Sequence, residues 1–397
     1  MSKPTEITIR SKYISNYNNG YPLISKEYIE LDRPLQEGTI VHLVDNRKKF
    51  IAKGYYGVQN KGYGWILSRN QNQSIDKTFF QNKIKEAIAY RKSFFDDTTT
   101  TAFRIFNGEG DGVGGLTIDY FDGYYLFTWY SVGIYSFRDI IIDALKSEVG
   151  YKGIYQKRRF DAKGQYLDSA DDFILGEKAP EPLIIKENSL KFAIYLDDGA
   201  MVGLFLDQKE VRKTIREKYA KGKSMLNTFS YTGAFSIAGA VGGAIKTTSV
   251  DLAKRSLPKT KEQFEINSID ISSQDIIVED IFNYFKYAIK KNIKFDIVVL
   301  DPPSFARTKK YTFSVAKDYV KLIKEAIEVT HNGGVIVAST NYSNFDMNKF
   351  KMFVEKAFSS LDVKYKIEES FSLPKDFRVL DKFRESNYLK VLFIRKV

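Results

Sequence analysis

The sequence has 397 residues, no cysteine and a formal net charge of +12, with aromatic residues at 15%. The absence of cysteine excludes disulfides, thiolate metal sites and a cysteine nucleophile, and two histidines are too few for a histidine-based zinc site. A basic balance favours a polyanionic partner, nucleic acid first and an anionic membrane surface second. Neither an apolar signal segment nor a run of the ~18–20 apolar residues of a membrane span is found, so we expect a cytoplasmic protein without a membrane or metal partner.

Residues 1–73 are predicted to form a small β domain, because short β-branched runs there are separated by glycine, asparagine and proline. A helix is predicted at about 77–95, where apolar residues recur at helical spacing. It lies in a middle α+β domain, residues 74–185. A glycine-rich acidic segment of this domain, residues 107–115, is similar to the first half of a calcium-binding loop. Ile118 stands where such a loop needs a bidentate glutamate, so we expect a turn between two strands instead.

From residue 186 to residue 397 the pattern changes to alternating strands and helices. This alternation predicts an α/β domain with a doubly wound, Rossmann-like sheet and helices on both faces. A helix-end turn is predicted at residues 330–334, and a last strand at residues 388–397.

Three acidic residues of this domain follow strand-like runs: Asp251, Asp280 and Asp301. A turn of small residues, Ser230–Gly233, follows the first strand of the set. Because the carboxyl ends of parallel strands meet at one edge of a sheet, these residues indicate a nucleoside site there. The glycine turn admits the ligand to the backbone, one acid accepts from the ribose hydroxyls, and the next accepts from the adenine amino group.

The turn after the first strand argues against NAD, which needs a G-x-G-x-x-G sequence where its pyrophosphate meets a helix. Here the turn reads NTFSYTGAFS, with Gly233 as its only glycine, and the chain has no G-x-x-x-x-G-K-[ST] phosphate loop. A cofactor without phosphates fits better. S-adenosylmethionine carries adenine, ribose and an amino-acid end but no phosphate, so it is the predicted cofactor.

The stretch FDIVVLDPPSFARTKK, residues 295–310, joins an apolar strand to an acid, two prolines, an aromatic residue and cations. Pro302 and Pro303 lack amide donors and stop the strand, so Asp301 is expected at its carboxyl end. The acid and Phe305 would then face a base and the cofactor.

Three motifs together resemble one family: GLFLDQKEVR at 203–212, FSYTGAFS at 229–236 and LDPPSF at 300–305. They are similar, in the same order, to the bacterial 23S rRNA large-subunit methyltransferases, which join an N-terminal PUA domain to a class I S-adenosylmethionine-dependent methyltransferase domain. The segments IRSKYISNYNNGYPLI and IAKGYYGVQNKGYGWIL resemble the PUA-type start. The resemblance implies a class I methyltransferase sheet at 186–397, preceded by a PUA-like β domain and the middle domain.

The resemblance also implies roles for individual residues. Asp251 would hold the ribose and Asp280 the adenine side. The residues implied in cofactor binding are Gln208, Asn227, Phe229, Tyr231, Gly233, Asp251, Asp280 and Asp301. The residues implied in catalysis form a wall between the sulfonium and the target base: Asp301, Pro302, Pro303 and Phe305.

One departure from the family decides the expected chemistry. Members that methylate cytosine C5 carry a Ser-Cys-Ser motif after the fifth strand, because C5 becomes nucleophilic only after a cysteine adds at C6. Thr340 stands where that cysteine would be, and the chain has no cysteine to replace it. We therefore expect direct in-line methylation of a base nitrogen, most simply guanine N7, whose lone pair needs no general base.

Another branch of the wider family, with a similar Asp-Pro-Pro-x-Phe element, methylates guanine N7 in 23S rRNA. Two alternatives stay open. One is methylation of an exocyclic amine, guanine N2 or adenine N6. The other is a non-catalytic RNA-binding or ribosome-assembly factor that keeps the cofactor fold.

The expected partner is 23S ribosomal RNA, free or in an assembly intermediate, and a homodimer is left open. Phosphate contacts would supply affinity rather than sequence choice. A base must leave its stack to reach a buried methyl group, so we expect an unpaired or loosely paired target nucleotide. The cations predicted to contact RNA are Arg158, Arg159, Arg307, Lys309 and Lys310.

Overall fold

The chain divides into two units in the computed structural model, which describes residues 5–59, 62–160, 172–199, 201–307 and 312–397. The first unit comprises Met1–Ile185, Tyr195–Val202 and Lys375–Ser386. The second unit comprises Lys186–Ile194, Gly203–Pro374 and Asn387–Val397. The proposed division into three domains at 73/74 and 185/186 stays a prediction. No helix in the described residues is long and apolar enough to span a bilayer.

The amino-terminal sheet of the first unit consists of short strands rich in β-branched residues. Its strands are Thr5–Ile9 (β1), Leu23–Ser25 (β2), Ile29–Glu30 (β3), Ile40–Val44 (β4), Phe50–Tyr56 (β5) and Gly62–Ser68 (β6). They are ordered β2-β6-β5-β4-β1-β3, with β1 parallel to β4. A short helix, Ile14–Asn18 (α1), lies between β1 and β2 in the chain. The small β fold predicted for this region is confirmed.

A second sheet of the first unit is ordered β11-β10-β9-β8-β7 along the strands that follow. Those strands are Ala102–Asn107 (β7), Leu116–Phe121 (β8), Tyr124–Trp129 (β9), Gly153–Arg158 (β10) and Phe173–Gly176 (β11). The accompanying helices are Lys77–Tyr90 (α2), Lys92–Phe95 (α3), Val132–Tyr135 (α4) and Arg138–Glu148 (α5). The acidic segment after β7 forms the 3₁₀ turn Gly108–Asp111, so the predicted turn between two strands is confirmed.

The helix predicted at 77–95 is interrupted at Arg91, where α2 ends and α3 begins. The Arg91 guanidinium is buried and donates to both carboxylate oxygens of Asp111, at 2.9 and 2.7 Å. It also donates to the Asp376 carbonyl oxygen at 2.8 Å. These partners are distant in sequence, and helical spacing alone does not reveal them.

The second unit contains a seven-stranded sheet and two short hairpin sheets. The hairpin strands are Leu183–Glu187 (β12), of which residues 183–185 belong to the first unit, Leu190–Ile194 (β13), Phe305–Arg307 (β18) and Thr312–Ser314 (β19). The strands of the large sheet are Ser224–Thr228 (β14), Lys246–Asp251 (β15), Asp275–Val278 (β16), Phe295–Leu300 (β17), Thr330–Thr340 (β20), Tyr365–Phe371 (β21) and Lys390–Lys396 (β22). The turn predicted at 330–334 therefore lies inside β20, as an irregularity opposite the start of β17. The predicted last strand is β22.

Helices cover both faces of the large sheet, as the doubly wound prediction requires. They are Lys209–Thr214 (α6), Ala234–Val241 (α7), Ser256–Ile266 (α8), Ile281–Lys290 (α9), Val315–Glu328 (α10) and Met347–Ser359 (α11). Side chains of α9, α10 and α11 pack with Val298 on one face, while side chains of α6 and α7 pack with Ile297 and Val299 on the other. The alternation along β17 explains why this strand is apolar without interruption.

The order of the large sheet is β16-β15-β14-β17-β20-β22-β21. The five strands from β16 to β20 are parallel, and β22 is antiparallel to both β20 and β21. The direction of strand order reverses between β14 and β17. In open α/β sheets such a reversal opens a crevice at the carboxyl ends of the strands, where ligands bind.

Candidate active site

The three predicted acids lie at the carboxyl edge of parallel strands of the large sheet. Asp251 is the last residue of β15, Asp301 directly follows β17, and Asp280 comes two residues after β16. The strands are parallel and in register, with Leu226 opposite both Thr248 and Val298. The sequence therefore brings all three acids to the same edge of the sheet.

The loop after β14 is held in an unusual backbone conformation. Phe229, Tyr231 and Gly233 have φ values of 52°, 51° and 81°. Left-handed geometry is unfavourable for side chains other than glycine and persists where surrounding contacts enforce it. Here the Ser230 amide donates to the Val250 carbonyl oxygen at 3.1 Å. The loop is thus pinned to the end of β15.

Gly233 is required at the end of this loop for two reasons. Its φ lies in the left-handed region, and a Cβ atom added to it would come within 2.6 Å of Thr260 Cγ2 on α8. A glycine here lets the start of α7 pack closely against α8. This is the close approach of backbone that the turn residues predict.

Asp251 is oriented by two backbone amides. Tyr231 N–H donates to Oδ2 at 2.9 Å, and Ala253 N–H donates to Oδ1 at 2.8 Å. Each carboxylate oxygen has a second lone pair, so both can still accept from a ribose diol. The carboxylate is therefore preorganised for the role that the resemblance implies.

Asp280 has a structural role in the described residues. Its Oδ1 accepts from the amides of Phe282 at 3.0 Å and Asn283 at 3.3 Å, which makes it the N-cap of α9. Such a cap satisfies amides that have no partner inside the helix. Contact with adenine stays a prediction.

Two buried amide oxygens at this edge have no hydrogen-bond partner in the described part of the chain. They are Asn227 Oδ1 and Gln208 Oε1. The nitrogen atoms of the same side chains are occupied: Asn227 donates to Ser236 Oγ at 3.0 Å, and Gln208 donates to Ser339 Oγ at 2.7 Å. Buried acceptors seldom stay unpaired in native proteins. An amino-acid ammonium group, which has donors only, fits such a pair of acceptors.

Asp301 is half-buried and linked to Gln208, whose Nε2 donates to its Oδ1 at 3.1 Å. Burial, together with the nearby carboxylate of Asp207, raises the pKa of Asp301 to about 6, although hydrogen bonds from Ser339 and Gln208 offset part of the effect. A carboxyl group with a pKa near neutrality at a sheet edge is a feature of functional sites.

The residues after Asp301 are those of the predicted wall, and their contact with the cofactor and the base stays a prediction. Pro302 is buried and Pro303 is exposed. Phe305 belongs to the β18–β19 hairpin and is 62% exposed, so its ring is available for stacking. The Ser304 hydroxyl donates to Asn341 Oδ1 at 2.5 Å, which joins the loop after β17 to the loop after β20.

Thr340, at the position of the missing cysteine, is fully buried at the end of β20. Its hydroxyl oxygen accepts from the Tyr342 amide at 3.2 Å. Opposite it in the ladder stands Lys390, which donates to the carbonyl oxygens of Tyr342 at 2.8 Å and Tyr388 at 2.6 Å. Burial lowers the pKa of Lys390 to about 8. No sequence motif indicated Lys390 or Asn341, because only the pairing of β20 with β22 and the Ser304 contact bring them to the site.

The predicted RNA-contacting cations lie in different parts of the chain. Arg158 ends β10 in the first unit, and the next residue, Arg159, donates from its amide to the Trp129 carbonyl oxygen at 2.8 Å. Arg307 ends β18, while Lys309 and Lys310 lie outside the described residues. Their contact with RNA stays a prediction. Within the described ranges, no group of three or more acidic or histidine residues could hold a metal ion.

Comparison with known proteins gives two family matches. A family described as S-adenosylmethionine-dependent methyltransferase matches residues 104–383, and a PUA-like domain family matches residues 7–69. A Bacillus subtilis (strain 168) protein, YwbD, provisionally named a ribosomal RNA large subunit methyltransferase, is 54% identical over 98% of this chain and 99% of its own.

Two further proteins are similar over nearly their whole length. Ribosomal RNA large subunit methyltransferase I of Aliivibrio fischeri (strain MJ11) is 28% identical over 94% of this chain and 95% of its own. The crystal structure of SMU.776, described as a methyltransferase complexed with SAH, superposes with a TM-score of 0.91. It is 38% identical and covers 99% of this chain and 100% of that one.

Proposed function

The chain belongs to the family of S-adenosylmethionine-dependent methyltransferases with an amino-terminal PUA-like domain, and from this we propose that it methylates a base nitrogen of large-subunit ribosomal RNA, with guanine N7 first. Transfer is direct and in line, without a covalent enzyme–RNA adduct. The observation that carries this proposal is the edge after β17, where a half-buried acid, two prolines and an exposed aromatic ring adjoin a nucleoside-type crevice.

The residues of the crevice fit S-adenosylmethionine, which supplies an electrophilic methyl group on a sulfonium. The carboxylate of Asp251 accepts from the ribose hydroxyls, because both of its oxygens are held in place with lone pairs to spare. The unpaired oxygens of Asn227 and Gln208 accept from the ammonium group. Asp280 lies on the adenine side, and Phe229, Tyr231 and Gly233 shape the backbone around the amino-acid end.

The absence of a nucleophile supports nitrogen as the acceptor. Methylation of cytosine C5 needs a thiolate, and the sequence has no cysteine. Thr340 cannot replace it, since its side chain is buried and its hydroxyl oxygen accepts from the Tyr342 amide. Guanine N7 has a free lone pair, so the protein needs only to position the ring, which can contribute ~7–11 kcal/mol.

Two side chains of the LDPPSF motif suit this positioning. The carboxylate of Asp301 accepts from an N–H of the guanine edge, and Phe305 stacks on the ring with the face that it exposes to solvent. The Asp301 carboxylate would also suit an exocyclic amine, because it could accept a hydrogen bond from the amine N–H. Methylation of guanine N2 or adenine N6 is therefore the second candidate.

The proposal is tested by mass spectrometry of nucleosides from 23S rRNA of cells with and without the gene. We expect 7-methylguanosine to be lost at one position in the deletion strain. Loss of N2-methylguanosine or N6-methyladenosine would favour the second candidate, and loss of 5-methylcytidine would overturn transfer to nitrogen. Titration calorimetry with S-adenosylmethionine separates an enzyme from a non-catalytic assembly factor, for which no binding heat is expected.

The pKa of Asp301 also predicts the pH dependence of turnover. Because burial raises this pKa to about 6, half of the free enzyme carries a protonated Asp301 at that pH. The proton removes the acceptor, so kcat/KM should rise with pH and level off above the pKa. Rates measured at subsaturating cofactor between pH 5 and 8 test this. A wild-type profile without a rise across this range would contradict the role of the carboxylate.

A further inference from the structure

Asn341 occupies the tip of a turn that is fixed on both sides. On one side the Tyr342 amide donates to the side-chain oxygen of the buried Thr340 at 3.2 Å. This hydrogen bond closes the turn through a threonine side chain. On the other side Lys390 donates to the Tyr342 carbonyl oxygen at 2.8 Å. Asn341 itself is exposed. An exposed side chain on an immobilised backbone suits recognition, because little ordering remains to be done on binding.

The orientation of the Asn341 amide is set by Ser304. The Ser304 hydroxyl donates to Asn341 Oδ1 at 2.5 Å, so one lone pair of the amide oxygen is used and the oxygen is turned towards Ser304. The Nδ2 group, with two N–H donors, makes no hydrogen bond in the part of the chain that the structure describes. Asn341 therefore presents two free N–H donors to a ligand, while its oxygen is turned towards Ser304.

The position of Asn341 places these donors beside the wall that follows β17. Ser304 is the third residue after Asp301 and directly precedes the exposed Phe305. The parent strands are neighbours, with Leu300 of β17 opposite Ala338 of β20. A base that stacks on Phe305 near Asp301 would have Asn341 at one edge.

We propose that Asn341 selects the target base by donating from Nδ2 to a carbonyl oxygen next to the methylated nitrogen, an inference that rests on the proposed function. In guanine that oxygen is O6, which neighbours N7. Adenine has an amino group there, and a donor would face a donor. The common asparagine–adenine pairing turns both ends of the amide towards the base, and here Oδ1 is held towards Ser304 instead. N7 stays free to receive the methyl group.

The experiment compares the loss of methylation rate when the Asn341 side chain is removed with the loss when O6 of the base is removed. Wild-type protein and the Asn341→Ala variant are given synthetic RNAs that carry guanosine or 2-aminopurine riboside at the methylated position. 2-Aminopurine keeps N7 but lacks O6. We expect Asn341→Ala to lower the rate on guanosine by ~10–100-fold, the usual worth of one discriminating base contact. Asn348→Ala, which removes another exposed asparagine seven residues away, should behave as wild type.

The base analogue also lacks the N1 proton, so the informative quantity is the difference between two losses. Removing O6 should cost the wild type ~10–100-fold more than it costs Asn341→Ala, because the variant has already lost that contact. Equal losses in the two proteins, or full activity of Asn341→Ala on guanosine, would overturn the inference and leave N7 methylation intact. Absence of 7-methylguanosine in the wild-type reaction would overturn both.

Discussion

Replacing Asp301 by asparagine is expected to lower turnover by ~10²–10³-fold, the range found when one charge-stabilising contact of an active site is removed. Asparagine keeps an oxygen that can accept from Gln208 Nε2, now 3.1 Å from Asp301 Oδ1, so the local structure is retained. What is lost is the anionic acceptor for the base edge. Single-turnover methylation of 23S rRNA from a deletion strain measures the effect.

The same variant should be as stable as the wild type or more stable. Burial raises the pKa of Asp301 to about 6, so the folded protein holds this proton more tightly than the unfolded chain does. The stabilising effect of the proton is complete below the unfolded pKa of about 3.9 and is lost as pH rises through the folded value. At pH 8 the ionised carboxylate therefore costs stability, at most about 3 kcal/mol, and asparagine relieves that cost. Urea denaturation at pH 8 measures it.

Asp296→Asn is the matched control, because Asp296 lies near the other end of the same strand. Its Oδ2 accepts from the Ser224 amide at 2.9 Å and from the Ser224 hydroxyl at 3.0 Å. Hydrogen bonds from Ser224 and Lys223 lower the pKa of this carboxylate. We expect Asp296→Asn to be less stable and fully active, the reverse of Asp301→Asn. Normal turnover by Asp301→Asn would show that the Asp301 carboxylate has no role in methyl transfer.

Replacing Arg212 by methionine is expected to lower the free energy of unfolding by ~3–5 kcal/mol, the cost of leaving a buried charge without its partner. Arg212 and Glu187 are both buried and form a bidentate pair, with N–O distances of 2.7 and 2.6 Å. Arg212 Nη2 also donates to the Phe205 carbonyl oxygen at 2.7 Å. Loss of the Arg212 side chain therefore also removes the contact that holds the segment with Phe205 and Gln208. Affinity for S-adenosylmethionine should fall as a result.

Two further variants separate the ion pair from general effects of the substitution. Arg216→Met alters a more exposed arginine of the same region, which pairs with Glu217 at 2.8 Å and donates to the Asn188 carbonyl oxygen, and should cost less than Arg212→Met because it leaves no fully buried charge alone. The double variant Arg212→Met/Glu187→Leu should recover most of the lost stability, because no buried charge is left alone. Chemical denaturation tests both. A cost for Arg212→Met as small as that for Arg216→Met would show that the pair contributes little.

The sheet edge was predictable from the sequence because its signals are local. A run such as Ile297–Leu300, apolar on both faces, and an acid followed by two prolines mark the end of an internal strand within a few residues. Alternation of strands and helices then brings the ends of parallel strands together. The positions of Asp251 and Asp301 follow from these rules without any knowledge of tertiary contacts.

Features that depend on distant partners were not predictable in this way. The break of the helix at Arg91 depends on Asp111 and Asp376, and the turn expected at 330–334 is drawn into β20 by pairing with β17. Asn341 and Lys390 join the site through contacts between loops and antiparallel strands far apart in the chain. Asp280 illustrates the remaining ambiguity, since an acid after a strand also serves as a helix cap.

The central claim is direct transfer of the methyl group to a base nitrogen. It is tested most directly by incubating the purified protein with S-adenosylmethionine that carries a trideuterated methyl group and with 23S rRNA from cells lacking the gene. We expect mass spectrometry to find the label in 7-methylguanosine, and no protein–RNA adduct to survive denaturation. Label in 5-methylcytidine, where the methyl group is bonded to carbon, would contradict it.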